Sequence, residues 1–464
     1  MSAAQAAGSG EVYDLLGVGV GPFNLGLAAL TDPLPELNTL FLDSGAGFDW
    51  HPGMMLESAH LQVPFMADLV TLADPCSRYS FLNFLKQTNR LYRFYIREDF
   101  YPLRAEFNAY CRWVADQLPA VRFGEEVTGI RRLADGADPL YEVTVQTAAG
   151  TRRYKTRRLV LGTGTRPYLP DAAADLLAAG AAVLHNADYL TRKEQLQQQR
   201  SITVVGSGQS AAEIYLDLLQ EMDAHGYELN WVTRSGRFFP LEYTKLTLEM
   251  TSPDYVDYFH ALPGTTRDRL IAQQKNLYKG IDSDLINTIY DTLYAKSLNG
   301  TPRTRLLTHL ELRGGTFNAA TGTSTLELHH AEQQRSLALE TDAVVLATGY
   351  TYREPDFLTG IADRIRRDGA GRFDVDRWYG IGTVPGEIFV QNAELHTHGF
   401  VTPDLGMAAY RNSAIIRAVL GREVYPVETS VAFQEFGVPG GSNALHPAAE
   451  TAGAGASGPV EVHA

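Results

Sequence analysis

Cysteine is scarce in this sequence of 464 residues, which has only Cys76 and Cys111 and no Cys-x-x-Cys pair. Two thiols are too few for a disulfide framework, and no spacing of His and Cys resembles a metal site. This scarcity argues against a small secreted domain and against a dithiol disulfide reductase. We expect a cytoplasmic protein without a bound metal.

Long apolar runs and an excess of positive charge are also missing. No run of about 18 apolar residues could span a bilayer, and the N-terminal "MSAAQAAGSGEVYD" has no basic region followed by an apolar one, as a signal peptide would. The formal net charge of −14 disfavours nucleic acid or an anionic membrane as partner. The 45% apolar and 20% charged residues are typical of a folded soluble protein, and the length predicts two or more domains.

A glycine-rich stretch near the N-terminus, "VYDLLGVGVGPFNLGLAAL", predicts a strand, a turn and a helix. The strand is expected to end near Leu16, with Gly17 in the turn and Gly19 letting the backbone approach a pyrophosphate. Pro22 replaces the third glycine of the usual fingerprint and suits the first turn of a helix. The next apolar stretch, "LNTLFLD", ends in Asp43, where an acid would meet a ribose hydroxyl. The alternative is a glycine-rich turn without a nucleotide.

A second stretch, "SITVVGSGQSAAEIYLDLLQEM", repeats this arrangement with Gly206 and Gly208 in the turn. The strand that follows, "ELNWVTR", ends in Arg234 rather than an acid, and Ser235 comes next. A cation here favours NADP over NAD, because it would pair with the 2′-phosphate. The alternative is that Arg234 is only a solvated strand end.

Two further stretches, "RLVLGTGTRP" and "DAVVLATGY", place small residues after a buried strand and predict two crossings between dinucleotide-binding domains. We therefore expect an α/β fold with two Rossmann-like domains, one for FAD and an inserted one for NADPH, and a small helical substrate-binding region. The ends of the chain are poor in large apolar residues and predict disorder. The expected divisions are residues 1–11 disordered; 12–195, the first part of the FAD domain; 196–335, the NADPH domain with the helical region at about 240–300; 336–435, the return to the FAD domain; and 436–464, a disordered tail.

Over most of residues 12–425 the chain resembles the N-hydroxylating flavin monooxygenases of hydroxamate siderophore biosynthesis. The resemblance rests on "DLLGVGVGPFNLGLAAL", "FDWHPGMMLESAHLQVPF", "RYSFLNFL", "FYPLRAEFNAYCRW", "VVGSGQSAAE", "DAVVLATGY" and "LHTHGFVTPDLGMAAYRNS". The family's Asp-x3-Leu-Ala-Thr-Gly-Tyr-x4-Pro pattern is met from Asp342 to Pro355. Proline at the position of Pro22 is also a habit of this family.

The resemblance implies that NADPH reduces FAD, that O2 adds at the flavin C4a position, and that the resulting hydroperoxide hydroxylates a primary amine. The cofactor carries this chemistry, so no protein side chain is assigned as a certain catalytic acid or base. The residues that the resemblance assigns to FAD are Gly17, Gly19, Pro22, Asp43, Trp50, His51, Leu61, Gln62, Asp404, Leu405 and Gly406. Those assigned to NADPH are Arg104, Gly206, Gly208, Ser210, Arg234 and Ser235.

The stretch "HLQVPFMADLV" bears on the substrate. Relatives that hydroxylate lysine or ornithine carry a Lys before the Asp-Leu pair to meet the substrate's α-carboxylate, and here Ala67 stands there. Leu248 falls where the ornithine enzymes have an Asn, and Leu277 where a second Asn is expected, although Asn276 leaves that alignment open by one residue. A buried carboxylate without a cationic partner costs several kcal/mol. We therefore predict an aliphatic diamine such as putrescine or cadaverine.

Several alternatives stay open at this point. The pocket could hold a carboxylate in another way, which would make the substrate L-lysine, hydroxylated at N6, or L-ornithine, hydroxylated at N5. A regulatory redox sensor that binds FAD and NADPH without turnover is the competing class, although both glycine loops are intact. His396 and His398 have no apparent third ligand, so we interpret them as loop structure. The resemblance also suggests a homo-oligomer, either a dimer or a tetramer.

Overall fold

A five-stranded parallel sheet forms the first nucleotide-binding unit of the computed structural model, which describes residues 11–133 and 139–438. The strand from the first glycine stretch lies at the centre of this sheet, as expected for a dinucleotide-binding domain. Its strands, in spatial order, are Ile388–Val390, Leu159–Leu161, Leu15–Val18, Thr39–Leu42 and Val121–Arg122.

A second five-stranded parallel sheet is built around the strand of the second glycine stretch. Its strands, in spatial order, are Ala182–His185, Ala343–Leu346, Ser201–Val205, Glu228–Val232 and Thr304–Leu307. This sheet takes in Ala182–His185 and Ala343–Leu346, which the predicted boundaries at 195 and 335 assigned to the FAD domain. Both strands are apolar runs, and the sequence did not indicate which sheet would bury them.

Three smaller sheets complete the strand structure. One carries Val12–Tyr13, Gly150–Thr156, Tyr141–Thr147 and Glu126–Arg132, and another carries Leu310–Asn318, Thr323–His330 and Arg335–Thr341. The third is a two-stranded antiparallel link, in which Arg166–Pro167 pairs with Tyr350–Thr351. This link joins the two predicted crossings side by side, so the chain leaves and re-enters the first unit at neighbouring points.

Helices pack against both parallel sheets. Between residues 245 and 297 a further run of helices, the helical group, follows, and its last helix, Ser283–Ser297, packs against Gln209–His225 of the second unit. The α-helices are Pro22–Thr31, Phe81–Gln87, Leu91–Arg97, Arg104–Ala115, Ala174–Ala178, Tyr189–Leu196, Gln209–His225, Lys245–Leu248, Pro253–Ala261, Gly264–Gln273, Ser283–Ser297, Leu395–His398 and Ala408–Leu420. Short 3₁₀ segments cover Pro52–Met54, Asp171–Ala173, Asn186–Asp188, Lys275–Leu277, Asp356–Arg364 and Leu405–Met407. Within the described ranges, no helix is long and apolar enough to cross a membrane.

The helical group is joined to the first unit by its own apolar cluster. Tyr255 and Phe259 of Pro253–Ala261 pack there against Phe400 and Met407, which belong to the segment leading into Ala408–Leu420. Phe436 also packs in this cluster, with its ring 5.1 Å from that of Tyr255. The described chain therefore remains packed at the start of the predicted tail, and residues 439–464 lie outside the described part.

Candidate active site

The first glycine loop is shaped by its contact with the first crossing. The strand continues to Val18, two residues past the predicted end, so Gly17 lies in the strand rather than in the turn. A Cβ on Gly17 would be 2.3 Å from the ring of Phe41. Gly19 has a φ of +86°, and a Cβ there would be 2.4 Å from the carbonyl oxygen of Gly162. Glycine is therefore required at 19 by both backbone conformation and packing.

The helix that follows this loop has an open N-terminus. Pro22 occupies its first position, as expected, and the N-cap Gly21 offers no side chain to accept the first N–H groups. A Cβ on Gly21 would meet nothing within 4 Å. Unsatisfied N–H groups facing open space are suited to a phosphate. Gly21, which the fingerprint does not include, is thus part of the predicted pyrophosphate site.

Asp43 holds the glycine loop in place from the end of the neighbouring strand. Its two carboxylate oxygens accept hydrogen bonds from the N–H groups of Val20 and Gly45, each at 2.7 Å. A carboxylate can accept about four hydrogen bonds, so this arrangement leaves room for a ribose hydroxyl. The predicted contact of Asp43 with FAD stays a prediction, and the structure adds a role in organising the loop.

Trp50 and His51 lie side by side, close to the link between the two units. Their rings are 5.1 Å apart, and the ring of His51 is also 5.5 Å from that of Tyr350, in the link between the two units. His51 keeps an exposed surface although protein surrounds it on most sides. This desolvation, followed by the positive charge of Arg104, lowers the pKa of His51 to about 4. A neutral imidazole here would add no positive charge beside the flavin ring that is predicted to lie at this position.

The second glycine loop repeats the packing of the first. Gly206 has a φ of +145°, and a Cβ there would be 2.2 Å from the carbonyl oxygen of Ala347, in the second crossing. Gly208 is the N-cap of Gln209–His225, and a Cβ there would meet only the carbonyl oxygen of Lys279, at 3.7 Å. This helix also begins without a side-chain cap, with Ser210 half-buried in its first turn. The loop has the features of a second phosphate site.

Positive charge collects beside this loop. Arg234 is exposed, and within the described ranges it forms no ion pair. Ser235 lies next to the loop, because its hydroxyl is 3.1 Å from that of Ser207. Desolvation, followed by the charges of Lys275 and Arg234, lowers the pKa of Lys279. Cations without acidic partners next to an uncapped helix suit a phosphorylated ribose, and sequence reasoning missed Lys279.

Arg104 and Gln62, predicted to contact NADPH and FAD, meet at the boundary between the two units. Arg104 forms a bidentate ion pair with Glu213 at 2.9 and 2.7 Å and donates to the carbonyl oxygen of Met54 at 3.0 Å. Gln62 donates to Gln209 at 3.2 Å. The two predicted residues thus reach the same helix, and their contacts with cofactors stay predictions.

Ala67 comes together with Asp404 and Gly406, although it is far from them in sequence. Asp404 caps the 3₁₀ segment Leu405–Met407 by accepting a hydrogen bond from the Gly406 N–H at 2.7 Å. A Cβ on Gly406 would be 3.0 Å from that carboxylate oxygen and 3.9 Å from the Cβ of Ala67. Ala67 is buried, and Leu61 is buried in the adjoining core. The predicted substrate wall therefore adjoins the segment predicted to cover the flavin.

The other predicted substrate residues lie in the helical group. Leu277 packs in the cluster that contains Met407, on the helical side of the 404–407 segment. Asn276 donates to the carboxylate of Glu242 at 2.6 Å, and Leu248 ends the short helix Lys245–Leu248. Ala67 and Leu277 are thus both brought to the 404–407 segment, whereas Asn276 is engaged with a surface acid.

Tyr243, which sequence reasoning did not select, also belongs to this region. Burial raises its pKa, and the neighbouring Tyr101 and Asp404 raise it further. Burial also raises the pKa of Asp404, against the opposing effects of the Gly406 N–H and Arg411. A partly buried phenol and a partly buried carboxyl group, Tyr243 and Asp404, therefore interact, and Asp404 belongs to the segment that adjoins Ala67.

Each of the two parallel sheets carries a glycine loop followed by a helix without a side-chain cap. Each loop is in contact with one of the two crossings between the units, the first at Gly162 and the second at Ala347. This arrangement defines a flavoenzyme that binds two dinucleotides. A family model described as L-lysine 6-monooxygenase/L-ornithine 5-monooxygenase matches residues 11–352. The chain belongs to this family of monooxygenases, as its motifs predicted.

Individual relatives extend the match to nearly the whole chain. The putrescine N-hydroxylase of Shewanella oneidensis is 54% identical over 427 residues, which cover 92% of this chain and 84% of that protein. The FAD-bound structure of a cadaverine monooxygenase of the desferrioxamine pathway from Erwinia amylovora has a TM-score of 0.90 and 54% identity, covering 93% of this chain and all of that one. The ornithine N-hydroxylase of Kutzneria sp. 744, with reduced FAD, NADP+ and L-ornithine, has a TM-score of 0.81 and 29% identity, covering 89% of this chain and 99% of that one.

Proposed function

We propose that this protein is an FAD- and NADPH-dependent N-hydroxylase of an aliphatic diamine, with putrescine or cadaverine as substrate and O2 as co-substrate, in hydroxamate siderophore biosynthesis. The two relatives with 54% identity act on diamines according to their names, whereas the ornithine enzyme is 29% identical. The observation that carries the proposal is the pocket wall. Ala67 is buried against Gly406 at the position where amino-acid hydroxylases of this family carry a lysine.

The charge of this wall favours a cationic end of the substrate. The carboxyl group of Asp404 lies on the segment that adjoins Ala67, and in the part of the chain that the structure describes, its Oδ2 has no hydrogen-bond partner. An α-carboxylate placed here would face an acid without a cationic partner, which is unfavourable. The distal ammonium of a diamine would instead pair with Asp404 and lower its raised pKa.

The protein's contribution to the reaction is to bind, orient and dehydrate its reactants. When bound, FAD accepts a hydride from NADPH and activates O2, which supplies the oxygen atom that is transferred. The reacting amine must be unprotonated to attack, and exclusion of water where it meets the flavin would favour its neutral form. Asp404, beside Ala67 at the other end of the diamine, would allow the distal nitrogen to remain charged while the reacting nitrogen becomes neutral.

The decisive experiment is a substrate panel on the purified FAD-loaded enzyme. Hydroxylamine formation should be measured with putrescine, cadaverine, L-lysine and L-ornithine under NADPH and air. We expect kcat/KM to favour diamines by at least about tenfold, which corresponds to roughly 1.4 kcal/mol of unmet charge interaction. Equal turnover of lysine or ornithine would reject the diamine assignment and leave the family activity standing.

The same assay tests the redox-sensor alternative. A monooxygenase consumes O2 faster when its amine is present and converts the amine to a hydroxylamine. A sensor would bind FAD and NADPH but would show no amine-dependent NADPH oxidation. Amine-independent, slow NADPH oxidation without hydroxylated product would therefore contradict the proposal.

A further inference from the structure

Glu213 joins the two units of the fold through a buried ion pair. It lies on Gln209–His225, the helix of the second glycine loop, and its carboxylate receives two hydrogen bonds from Arg104, the first residue of the helix Arg104–Ala115. The side chains of Arg104 and Glu213 are 13% and 6% exposed. Charge-assisted bidentate pairs are strong and fix orientation, so this contact can hold one unit against the other.

Gln209 extends the contact to the helix N-terminus. Its amide nitrogen donates to Glu213 at 2.9 Å. Its carbonyl oxygen accepts from Gln62 at 3.2 Å and from the N–H of Asp282 at 2.8 Å. The residue directly after the Gly208 N-cap is therefore tied both to the flavin-side segment and to the helical group.

The same cluster reaches the residues around the predicted flavin ring. Arg104 also donates to the carbonyl oxygen of Met54 at 3.0 Å, and its charge contributes to keeping His51 neutral. These contacts form a bridge of four side chains, those of Gln62, Arg104, Gln209 and Glu213. The bridge connects the start of the helix after the second glycine loop to the segment from His51 to Gln62. Among the described residues, no hydrogen bond or ion pair joins this bridge to the substrate wall at Ala67.

We infer that Glu213 is a positioning residue for flavin reduction: through Arg104 and Gln209 it holds the start of the NADPH-binding helix at a fixed position relative to the flavin. Hydride transfer depends steeply on the distance and angle between donor and acceptor. Nucleotide affinity comes mainly from the glycine loop and the cations beside it. The bridge should therefore govern the rate of hydride transfer more than the binding of the nucleotide.

The test is anaerobic stopped-flow reduction of the FAD-loaded enzyme by NADPH, followed by the loss of flavin absorbance. This half-reaction needs no amine, so its outcome is independent of which substrate the enzyme hydroxylates. For Glu213→Gln we expect the reduction rate at saturating NADPH to fall about tenfold or more. The Kd for NADP+, measured by calorimetry, should change by less than about threefold, because the phosphate contacts remain.

Two further variants distinguish positioning of the helix from direct binding of the nucleotide. Gln209→Met removes the amide bridge without removing a charge and should slow saturated reduction in the same direction. The charge exchange Arg104→Glu with Glu213→Arg should reduce flavin faster than either single variant, because it restores the pair. If Arg104 instead binds NADPH directly, Glu213→Gln would change the Kd and leave saturated reduction unchanged, which would overturn the inference.

Glu387→Gln is the matched control. Glu387 forms a comparably buried ion pair with Arg364 at 3.1 Å, and its backbone oxygen accepts from the N–H of Leu159, at the end of the sheet opposite the glycine loops. We expect this variant to lower the melting temperature while saturated flavin reduction stays at the wild-type rate. The inference would be overturned if Glu213→Gln and Gln209→Met also lowered only the melting temperature and left saturated flavin reduction at the wild-type rate. The bridge would then be a purely structural contact.

Discussion

Ala67 and Gly406 face each other across the region predicted to hold the substrate: a Cβ on Gly406 would lie 3.9 Å from the Cβ of Ala67. Ala67 precedes Asp68, whose carboxylate caps the following turn by accepting from the N–H groups of Val70 and Thr71. The backbone at 67 is therefore fixed from one side and has little room to retreat. Any longer side chain at 67 must project toward the 404–407 segment, which makes this position a sensitive test of the pocket.

Ala67→Lys is expected to remove diamine hydroxylation. The new ammonium would pair with Asp404 and repel the distal ammonium of a bound diamine. We expect kcat/KM for putrescine and cadaverine to fall by at least about tenfold. Ala67→Met is the matched control, since it adds a chain of similar length without a charge. A lysine variant no worse than the methionine variant would show that charge at this position does not decide the substrate.

Asp404→Asn is expected to weaken binding of the diamine more than it slows chemistry. The amide keeps the size of the side chain but removes the charge that would pair with the distal ammonium. We expect KM for putrescine to rise by about tenfold or more, as for loss of one buried charge contact, with a smaller effect on kcat. FAD content should be checked in the same preparation, because the family resemblance places Asp404 beside the flavin. Loss of FAD with an unchanged KM would support a role in flavin binding instead.

Arg234→Ala should change nucleotide preference. Arg234 has no acidic partner among the described residues, and Lys279 adds a second cation near it. We expect KM for NADPH to rise by about tenfold or more and KM for NADH to change little, since only NADPH carries the 2′-phosphate. Arg269→Ala, on the exposed helix Gly264–Gln273, removes the same charge elsewhere and serves as control. Equal changes for both nucleotides would place the 2′-phosphate site elsewhere.

The sequence predicted the parts of this fold whose signals are local. The alternation of buried strand, glycine turn and helix at residues 15–31 and 201–225 follows from short-range hydrophobic pattern and from the conformational freedom of glycine, and the structure confirms both units. The proline at the first position of the first helix is equally local, because its fixed φ and missing N–H are tolerated only there.

Long-range partners were not predictable in the same way. The approach of the Gly162 carbonyl to Gly19 was not predicted, and the approach of a pyrophosphate to the same loop stays a prediction. Arg104 was assigned to NADPH, and its ion pair with Glu213 depends on how two distant segments meet. A single sequence shows which residues carry charge, but the pairing of those charges depends on the packing of the two units.

Gly19→Val should give a folded protein that retains little FAD. A valine at 19 would have to adopt a φ near +86° and place its Cβ 2.4 Å from the Gly162 carbonyl oxygen, so the loop must move. Moving the loop displaces the open helix N-terminus that is predicted to meet the pyrophosphate. The ratio of flavin to protein absorbance after purification measures the effect. Gly129→Val, at a strand position where a Cβ meets nothing within 4 Å, is the control. A full flavin spectrum in Gly19→Val would count against this loop as the FAD site.

Acidification from pH 6.5 to about 5 should destabilise the protein through five histidines whose protonation is disfavoured by the fold. Desolvation is the largest cause that lowers the pKa of each of His51, His185, His260, His396 and His398. An unfolded chain binds protons at these positions near pH 6.5, whereas the folded chain binds them only at lower pH. The free energy of unfolding therefore falls as the pH drops through this window.

Carboxyl groups whose pKa is raised by burial act in the opposite direction. Burial raises the pKa of Asp68, Glu394 and Asp404, so the folded state binds protons at these groups before the unfolded state does and gains stability on acidification.

A comparison of a histidine variant with the wild type separates the effect of the histidines from that of the carboxyl groups. His398 is fully buried, with its imidazole 3.2 Å from the carbonyl oxygen of Arg377. His398→Gln, which cannot titrate, should have a flatter dependence of melting temperature on pH between 6.5 and 5 than the wild type, even if it is less stable at pH 7.5. Parallel pH profiles for the two proteins would show that His398 is not excluded from protonation in the folded state.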